Sequence, residues 1–403
     1  MKYRLDKVVS PSDQAEAQNY INPAIAAMQQ VGSREIEYEI EELKAHGRKI
    51  VEVYGYPVVP PPEHVREAAA AAAASTFFPP SSGLLELREA LAAALFAQYG
   101  FAPDPEKQIL ITSGAMHALH VVLMALLGPG DEALLISPCY FFGGPIELAR
   151  ARAVYVSMDE SDGYAMDFGK IRAHLSERTR LIVLSSPVNP TGYVYTRSDV
   201  EQFVDLAEER DLLLVSDESY DRMLYDGLDH ISPLHFPEGR SRTLLVKSFT
   251  KSYALPSWRV GYVLAPASLT PYFRKVLEWT MLHGPYINQV AALAALQGPQ
   301  GWLAEVFREF EKRRNQLIEG IRDLQTLTCI PPKGGPFIFL NHKLNSAAHP
   351  ARFAGYLLSR YGIPAVAGSY FNAADHVRIP FGGSREAVSM LVEALEAADE
   401  SGR

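Results

Sequence analysis

Cysteine is nearly absent: only Cys139 and Cys329 occur among 403 residues. So few thiols exclude a disulfide framework and a cysteine-rich metal site, and they permit one reactive thiol at most. Both are expected to be reduced, and no metal is expected. Long apolar runs are missing too, since Gly, Pro or a charge interrupts each of them well short of a membrane span. The opening MKYRLDKVVSPSDQ has no apolar signal core, so a cytoplasmic protein with no membrane partner is expected. There is no dense Lys/Arg block. With 38 basic against 47 acidic residues and a net charge of -9, nucleic acid and anionic lipid are excluded as expected partners. No G-x-G-x-x-G opens a helix after a strand, which sets aside a dinucleotide-dependent dehydrogenase. No solenoid-type repeat is visible.

The rest of the composition is that of an ordinary globular enzyme, 48% hydrophobic and 21% charged. A chain this long predicts two domains of unequal size. From about residue 105, short apolar runs alternate with helical patterns, which predicts a mostly parallel sheet covered by helices. The runs are Gln108–Thr112, Ala133–Ser137, Ala153–Ser157, Leu181–Ser185, Leu212–Ser216, Thr243–Lys247 and Val260–Ala265. Helices are predicted at Ala115–Leu127, Asp167–Leu175 and Ser198–Arg210, and the alanine stretch Ala68–Ala74 continues a helix opened by Pro62-Glu63. Beyond about residue 300 a long charged helix near Trp302–Leu324, two short strands at Phe337–Leu340 and Val377–Ile379, and an amphipathic helix from Ser384 predict a separate, smaller α+β unit.

Ligands of open α/β sheets sit beyond the carboxyl ends of the strands, so the polar residues that follow each run are the ones that matter. Ser113-Gly114-Ala115 follows the first run, Pro138-Cys139-Tyr140 the second, Asn189-Pro190-Thr191-Gly192 the fourth, Asp217-Glu218-Ser219-Tyr220 the fifth, and Ser248-Phe249-Thr250-Lys251 the sixth. A phosphorylated pyridine aldehyde fits this rim. Its phosphate needs amides at a helix start, which Ser113, Gly114 and Ala115 offer, together with the Ser248 hydroxyl and the forked guanidinium of Arg259. Its ring needs an aromatic plate, Tyr140. Its nitrogen needs a carboxylate to keep it protonated, Asp217, and its phenolic oxygen needs donors, Asn189 and Tyr220. Its aldehyde needs an amine that forms a Schiff base and later moves a proton, Lys251.

Taken singly, each residue has a plainer reading. Lys251 is a solvated lysine, Asp217 a helix cap or loop acid, Tyr140 core packing, Asn189-Pro190-Thr191-Gly192 a turn, Ser113-Gly114 a helix start and Arg259 a surface ion pair. Coincidence at five successive strand ends is what outweighs those readings.

With these residues assembled, the chain resembles the class I/II aminotransferases of pyridoxal 5'-phosphate (PLP) fold type I, from about Glu52 to Arg378. Asn189-Pro190-Thr191-Gly192 is similar to the family's NPTG turn, Asp217 and Tyr220 to its D-x-x-Y pair, and Ser248-Phe249-Thr250-Lys251 with Arg259 to its S-x-[ST]-K…R segment. Gly83-Leu84-Leu85-Glu86-Leu87-Arg88 and Pro129-Gly130-Asp131-Glu132 resemble two further family stretches. His376-Val377-Arg378-Ile379 resembles the segment whose arginine clamps the substrate α-carboxylate, with Arg352, Arg360 and Arg385 as nearby alternatives. Gly55 matches a G-x-P element whose backbone faces that carboxylate.

The resemblance implies a large domain over residues 59–299 with a seven-stranded, mostly parallel sheet between helices, and a small domain joining 1–58 to 300–403. It implies a homodimer with shared active sites, and a segment Asn19–Ile36 that covers the substrate. It also implies amino acid and 2-oxo acid substrates, with Gly55, Asn189 and Arg378 on the substrate side and Lys251, Asp217 and Tyr220 carrying the catalysis. Phe78 stands where the family often has a tyrosine that reaches the neighbouring subunit's cofactor phosphate, so one phosphate hydrogen bond is expected to be missing. Gly55-Tyr56-Pro57-Val58 departs from the common G-x-P-D, and Tyr140-Phe141-Phe142 is followed unusually by Gly143-Gly144. Two outcomes of the same α-carbanion remain open: transfer of the amino group to a 2-oxo acid, or elimination, cyclisation or oxidation of a modified amino acid. A PLP-binding regulator would need a DNA-binding module, for which no segment is long or basic enough.

Overall fold

The computed structural model describes residues 20–28, 31–343, 345 and 352–402. Strands are numbered along the chain: β1 Val53–Tyr54, β2 Ile109–Thr112, β3 Glu132–Ser137, β4 Arg152–Ser157, β5 Thr179–Ser185, β6 Leu213–Asp217, β7 Thr243–Ser248, β8 Gly261–Leu264, β9 Thr328–Cys329, β10 Phe337–Asn341, β11 Val366–Ala367, β12 His376–Pro380 and β13 Gly382–Gly383. The seven apolar runs become β2 to β8, within one or two residues at each end.

These strands form one sheet in the order β2-β8-β7-β6-β5-β3-β4. The fold is mixed α/β, with the seven-stranded sheet that was expected. Near-continuous hydrophobic runs suit the middle of such a sheet because helices cover both faces: every residue of β3 and β7 is buried. β8 is the exception to the parallel arrangement, running antiparallel to both β7 and β2. Its reversal puts the start of β8 on the edge where its neighbours end, with Gly261 opposite both Thr112 and Ser248. Arg259, just before β8, is therefore delivered to the same rim as the residues that follow β2 and β7.

The helix Ala115–Leu126 packs on β7 and β8 through buried Ala118, Leu119, Val121, Val122 and Leu123. Arg197–Glu209 begins at a reciprocal cap, Thr196 accepting from the Asp199 amide at 3.1 Å and Asp199 from the Thr196 amide at 2.8 Å. Two helices not anticipated from the sequence, Thr270–Met281 and Tyr286–Gln297, follow β8.

A second, antiparallel sheet has the order β11-β12-β10-β9. Its apolar core joins Ile338, Leu340, Val377 and Ile379 of the sheet to Phe310 and Leu317 of the helix Gly301–Ile321 and to Val388 and Leu391 of the helix Arg385–Ser401. Val51 and Val53 belong to the same core. β1 is tied there by antiparallel pairing with β13, Val53 opposite Gly383 and Tyr54 opposite Gly382. That pairing fixes where the chain emerges at Gly55.

Candidate active site

Lys251 lies in the single helical turn Phe249–Ser252 that begins where β7 ends. It is half-buried, and its Nζ donates to the Gly55 carbonyl at 3.0 Å, with the Tyr56 and Tyr220 ring centroids 4.9 and 5.7 Å away. Burial, then the positive charges of Arg378 and Arg259, lower its pKa to about 7, against the pull of Asp217. An amine so placed is substantially neutral, hence nucleophilic, near neutral pH.

Asp217 closes β6. Its Oδ1 accepts from the Ser219 amide at 3.0 Å and the Ser219 hydroxyl at 2.6 Å. Burial, reinforced by Glu218, pushes its carboxyl up to about 6 in spite of the Ser219 bonds and Lys251. A cation set against it would reverse that shift, which is what a protonated pyridine requires. Burial also raises the Tyr220 hydroxyl, opposed by the Arg378 charge and a hydrogen bond with Asn189.

Two cavities meet at this point. One, of about 430 Å³, is lined by Ala115, Met116, Tyr140, Asp217, Ser248 and Arg259 among others. The other, of about 520 Å³, is lined by Ile36, Glu37, Gly55, Tyr56, Phe337 and Arg378 among others. Glu37, Tyr56, Tyr140, Asn189, Tyr220 and Lys251 line both. The first suits a phosphorylated ring and the second an amino acid.

The first cavity carries its own test of fit. Gly114 caps the helix Ala115–Leu126 with φ of 79°, and a Cβ there would fall 2.4 Å from the Arg259 guanidinium. Only glycine lets the cation lie against that helix start. Arg259 is itself held in the left-handed region at φ of 49°, its Nη1 donating to Thr250 Oγ1 at 3.1 Å. The Ser113 amide is already committed to His117 Nδ1 at 3.1 Å, and neither Ser113 nor Gly114 is among the residues lining the cavity. An anion there would be met by the turn beginning at Ala115, by Ser248 and by Arg259.

Arg378 projects from β12 into the second cavity, buried, with its guanidinium 4.3 Å from the Phe337 ring centroid, 4.9 Å from Phe371 and 5.9 Å from Phe141. Nη1 donates to Asn189 Oδ1 at 3.0 Å, while Nε is buried without a hydrogen-bond partner. A buried donor left unmade is costly, and a ligand carboxylate would satisfy it. Arg352, Arg360 and Arg385 are exposed, and Arg385 pairs with Glu309 at 3.2 Å. Gly55 meets the site through its carbonyl, and a Cβ there would collide with the Phe337 ring at 2.7 Å.

Several residues around the site had no role in the sequence reading. Ser219 was detectable as a hydroxyl two positions after an acid at a strand end. Tyr56, Phe337 and Phe371 have no signal apart from their neighbours' motifs, because their contacts are long-range. Ile36 and Glu37 lie at and just beyond the end of the Asn19–Ile36 segment; Asn19 itself, with residues 29 and 30, lies outside the described residues.

A family model described as aminotransferase class I and II matches residues 53–395. The aspartate aminotransferase of Geobacillus stearothermophilus is 28% identical over 381 residues, covering 92% of this chain and 96% of its own. The arginine–pyruvate transaminase of Pseudomonas aeruginosa is 34% identical over 301 residues, 74% of this chain and 76% of its own. Among solved structures, an aspartate aminotransferase from Thermus thermophilus with maleate superposes with a TM-score of 0.88 at 31% identity, over 94% of this chain and 99% of that one.

Proposed function

Because the chain belongs to the class I and II aminotransferases, we propose that it holds pyridoxal 5'-phosphate on Lys251 and moves the α-amino group of an L-amino acid to a 2-oxo acid. Of the two outcomes left open by the sequence, transamination is the one for which the relatives are named, among them an aspartate aminotransferase and an arginine–pyruvate transaminase. The observation that carries the residue assignment is the junction of the two cavities at Lys251, an amine with a pKa of about 7 set between the carboxylate of Asp217 and the guanidinium of Arg378.

When bound, the cofactor supplies an aldehyde that takes up the amino group and a ring that accepts the electron pair released at Cα. Asp217 would keep a proton on the ring nitrogen. Asn189 and Tyr220 would serve the phenolic oxygen, Tyr140 the ring face, and Ala115, Ser248 and Arg259 the phosphate. Arg378 receives the substrate α-carboxylate and so turns the Cα–H bond toward Lys251 Nζ, which accepts that proton. Its near-neutral pKa suits an amine that must both take and return a proton.

The same reading divides the chain into a large domain, 59–299, and a small one, 1–58 with 300–403, supported by the separate sheets and by the β1–β13 pairing. It makes the protein a homodimer. In support, Phe78 is 69% and Trp279 92% exposed, large apolar side chains that a partner subunit could cover, and the Phe78 ring lies 4.1 Å from that of His283. A cytoplasmic setting belongs to the same proposal; among the described residues no helix is long and apolar enough to cross a membrane.

The test is a half-reaction. Purified holoprotein is mixed with single amino acids, including aspartate, arginine and aromatic ones, and the 2-oxo acid released per active site is measured. Stoichiometric release supports transamination; ammonia release or oxygen uptake with no 2-oxo acid matching the donor would overturn it.

A further inference from the structure

Outside both cavities lies a second, largely buried polar cluster that the chemistry above does not use, with only Gln98 reaching the surface. Lys247 Nζ donates to Asp221 Oδ2 at 2.6 Å, Gln98 Oε1 at 3.0 Å and Tyr99 Oη at 3.3 Å. The other Asp221 oxygen accepts from the Ser252 hydroxyl at 2.7 Å. Tyr99 passes the chain on to Glu218 Oε2 at 2.5 Å, and Glu218 Oε1 accepts from Ser216 at 3.0 Å and Ser232 at 2.5 Å. His230 reaches the cluster as well, with Nδ1 3.6 Å from Glu218 Oε2 and Nε2 3.1 Å from the Ser186 carbonyl.

The sequence positions of its members are the telling feature. Glu218 follows Asp217, Asp221 follows Tyr220, Ser252 follows Lys251, and Lys247 precedes Ser248. In β7 this is strand alternation, which turns adjacent side chains to opposite faces. Each of four residues assigned to the cofactor therefore has a covalent neighbour fastened in one hydrogen-bonded cluster. Burying one carboxylate on the Lys247 ammonium and a second on the hydroxyls of Tyr99, Ser216 and Ser232 is a poor route to stability, because apolar side chains of the same volume commonly serve as well or better. Asp221 shows how committed the charges are. Burial alone would raise its carboxyl, yet Lys247 and His230 hold it down at about 2.

We infer that the cluster Lys247–Asp221–Glu218–Tyr99 is a positioning device that sets Lys251, Tyr220 and Asp217 relative to one another, with Ser252 as the link that fixes Lys251. This rests on the assignment of Lys251 above. Lys251 faces Arg378, Arg259 and Asp217 as charged groups and the Gly55 carbonyl as acceptor. If the turn carrying it loosens, its amine moves toward water and its pKa climbs back toward that of an ordinary lysine.

The experiment compares Ser252→Ala, Ser252→Thr, Asp221→Asn and the double variant Ser252→Ala/Asp221→Asn. In protein freed of cofactor, acetylation of Lys251 by acetic anhydride is followed against pH by peptide mapping; in holoprotein, the half-reaction gives a limiting rate constant and a half-saturation concentration. Ser252→Ala should raise the Lys251 midpoint by about one pH unit and cut the limiting rate roughly tenfold, with half-saturation little changed. Ser252→Thr should restore both, and the double variant should be no worse than the worse single one, since the two groups act in series. An unchanged midpoint and rate in Ser252→Ala, even with lower thermal stability, would overturn the positioning role, as would additive effects in the double variant. Borohydride reduction separates this from failure of the underlying assignment: a pyridoxyl group mapped to another lysine overturns both, whereas one on Lys251 beside an unmoved midpoint overturns the cluster's role alone.

Discussion

Arg378 and Asn189 are joined across 189 residues of chain by one hydrogen bond, Nη1 donating to Oδ1 at 3.0 Å. The bond couples the second sheet to the loop after β5. It holds the guanidinium edge-on to Asn189 while three aromatic rings close around it, so an incoming carboxylate finds a fork already oriented.

Arg378→Lys keeps a positive charge and loses the fork, the Asn189 bond and the fit among the rings. Catalytic efficiency toward every α-amino acid should fall by roughly two to three orders of magnitude, about 3–4 kcal/mol of charged hydrogen bonding. Cofactor affinity, measured by fluorescence titration, should stay within a few-fold. Equal losses in both would show that Arg378 serves the cofactor instead.

Asp217→Ala removes the buried carboxylate proposed to pair with the ring nitrogen. Abstraction of the α-proton, followed as loss of deuterium from Cα-labelled substrate, should slow by at least roughly a hundredfold, in line with about 3 kcal/mol or more for a stripped buried pair. Near-normal exchange in a folded variant would sink the assignment.

Lys251 carries a pH signature. Only the unprotonated amine attacks an aldehyde, and its pKa is lowered from 10.5 to about 7, so the rate of imine formation by cofactor-free protein should rise with pH and level off above about 7. An unperturbed lysine would keep gaining reactivity up to about pH 10. Lys251→Ala should bind the cofactor without the covalent link, and a rate that climbs past pH 9 in the wild type would contradict the depressed value.

Gly114→Ala places a methyl group where the Arg259 guanidinium lies and forces a residue with a side chain to φ of 79°. The cofactor should dissociate at least roughly tenfold more readily, since a left-handed side chain alone costs about 1–2 kcal/mol. Unchanged retention on dialysis would show that Arg259 does not serve the phosphate.

Phe78→Tyr supplies the hydroxyl that related enzymes often have. In a homodimer whose partner reaches the phosphate from this position, affinity for the cofactor should rise by roughly tenfold, the value of one hydrogen bond to a charged group. A variant indistinguishable from wild type would place Phe78 away from the neighbouring site.

The sheet could be read from the sequence because its strands are buried on both faces and therefore appear as unbroken runs, as in Leu134 and Leu135 of β3 or Leu244 and Leu245 of β7. The rim followed from chemistry at the ends of those runs. The reversal of β8 left no trace, because the side-chain pattern of a buried strand is the same in either direction. Tyr56, Phe337 and Phe371 stayed hidden for a different reason: their positions around Lys251 and Arg378 are set by pairing between distant segments. The cluster around Lys247 was likewise invisible, since a lysine inside an apolar run announces a polar partner without naming it.

The pairing of β1 with β13 has a consequence for the order of events during synthesis. Val53 and Tyr54 leave the ribosome long before Gly383 and Gly382, their partners. Until those glycines emerge, nothing in that two-stranded sheet holds the segment running into Gly55, and its carbonyl has no fixed place opposite Lys251. Contacts between such distant stretches form late, because a long loop must close first. The nascent large sheet can therefore assemble its rim early, yet the amine it presents acquires its Gly55 acceptor only after β13 has emerged.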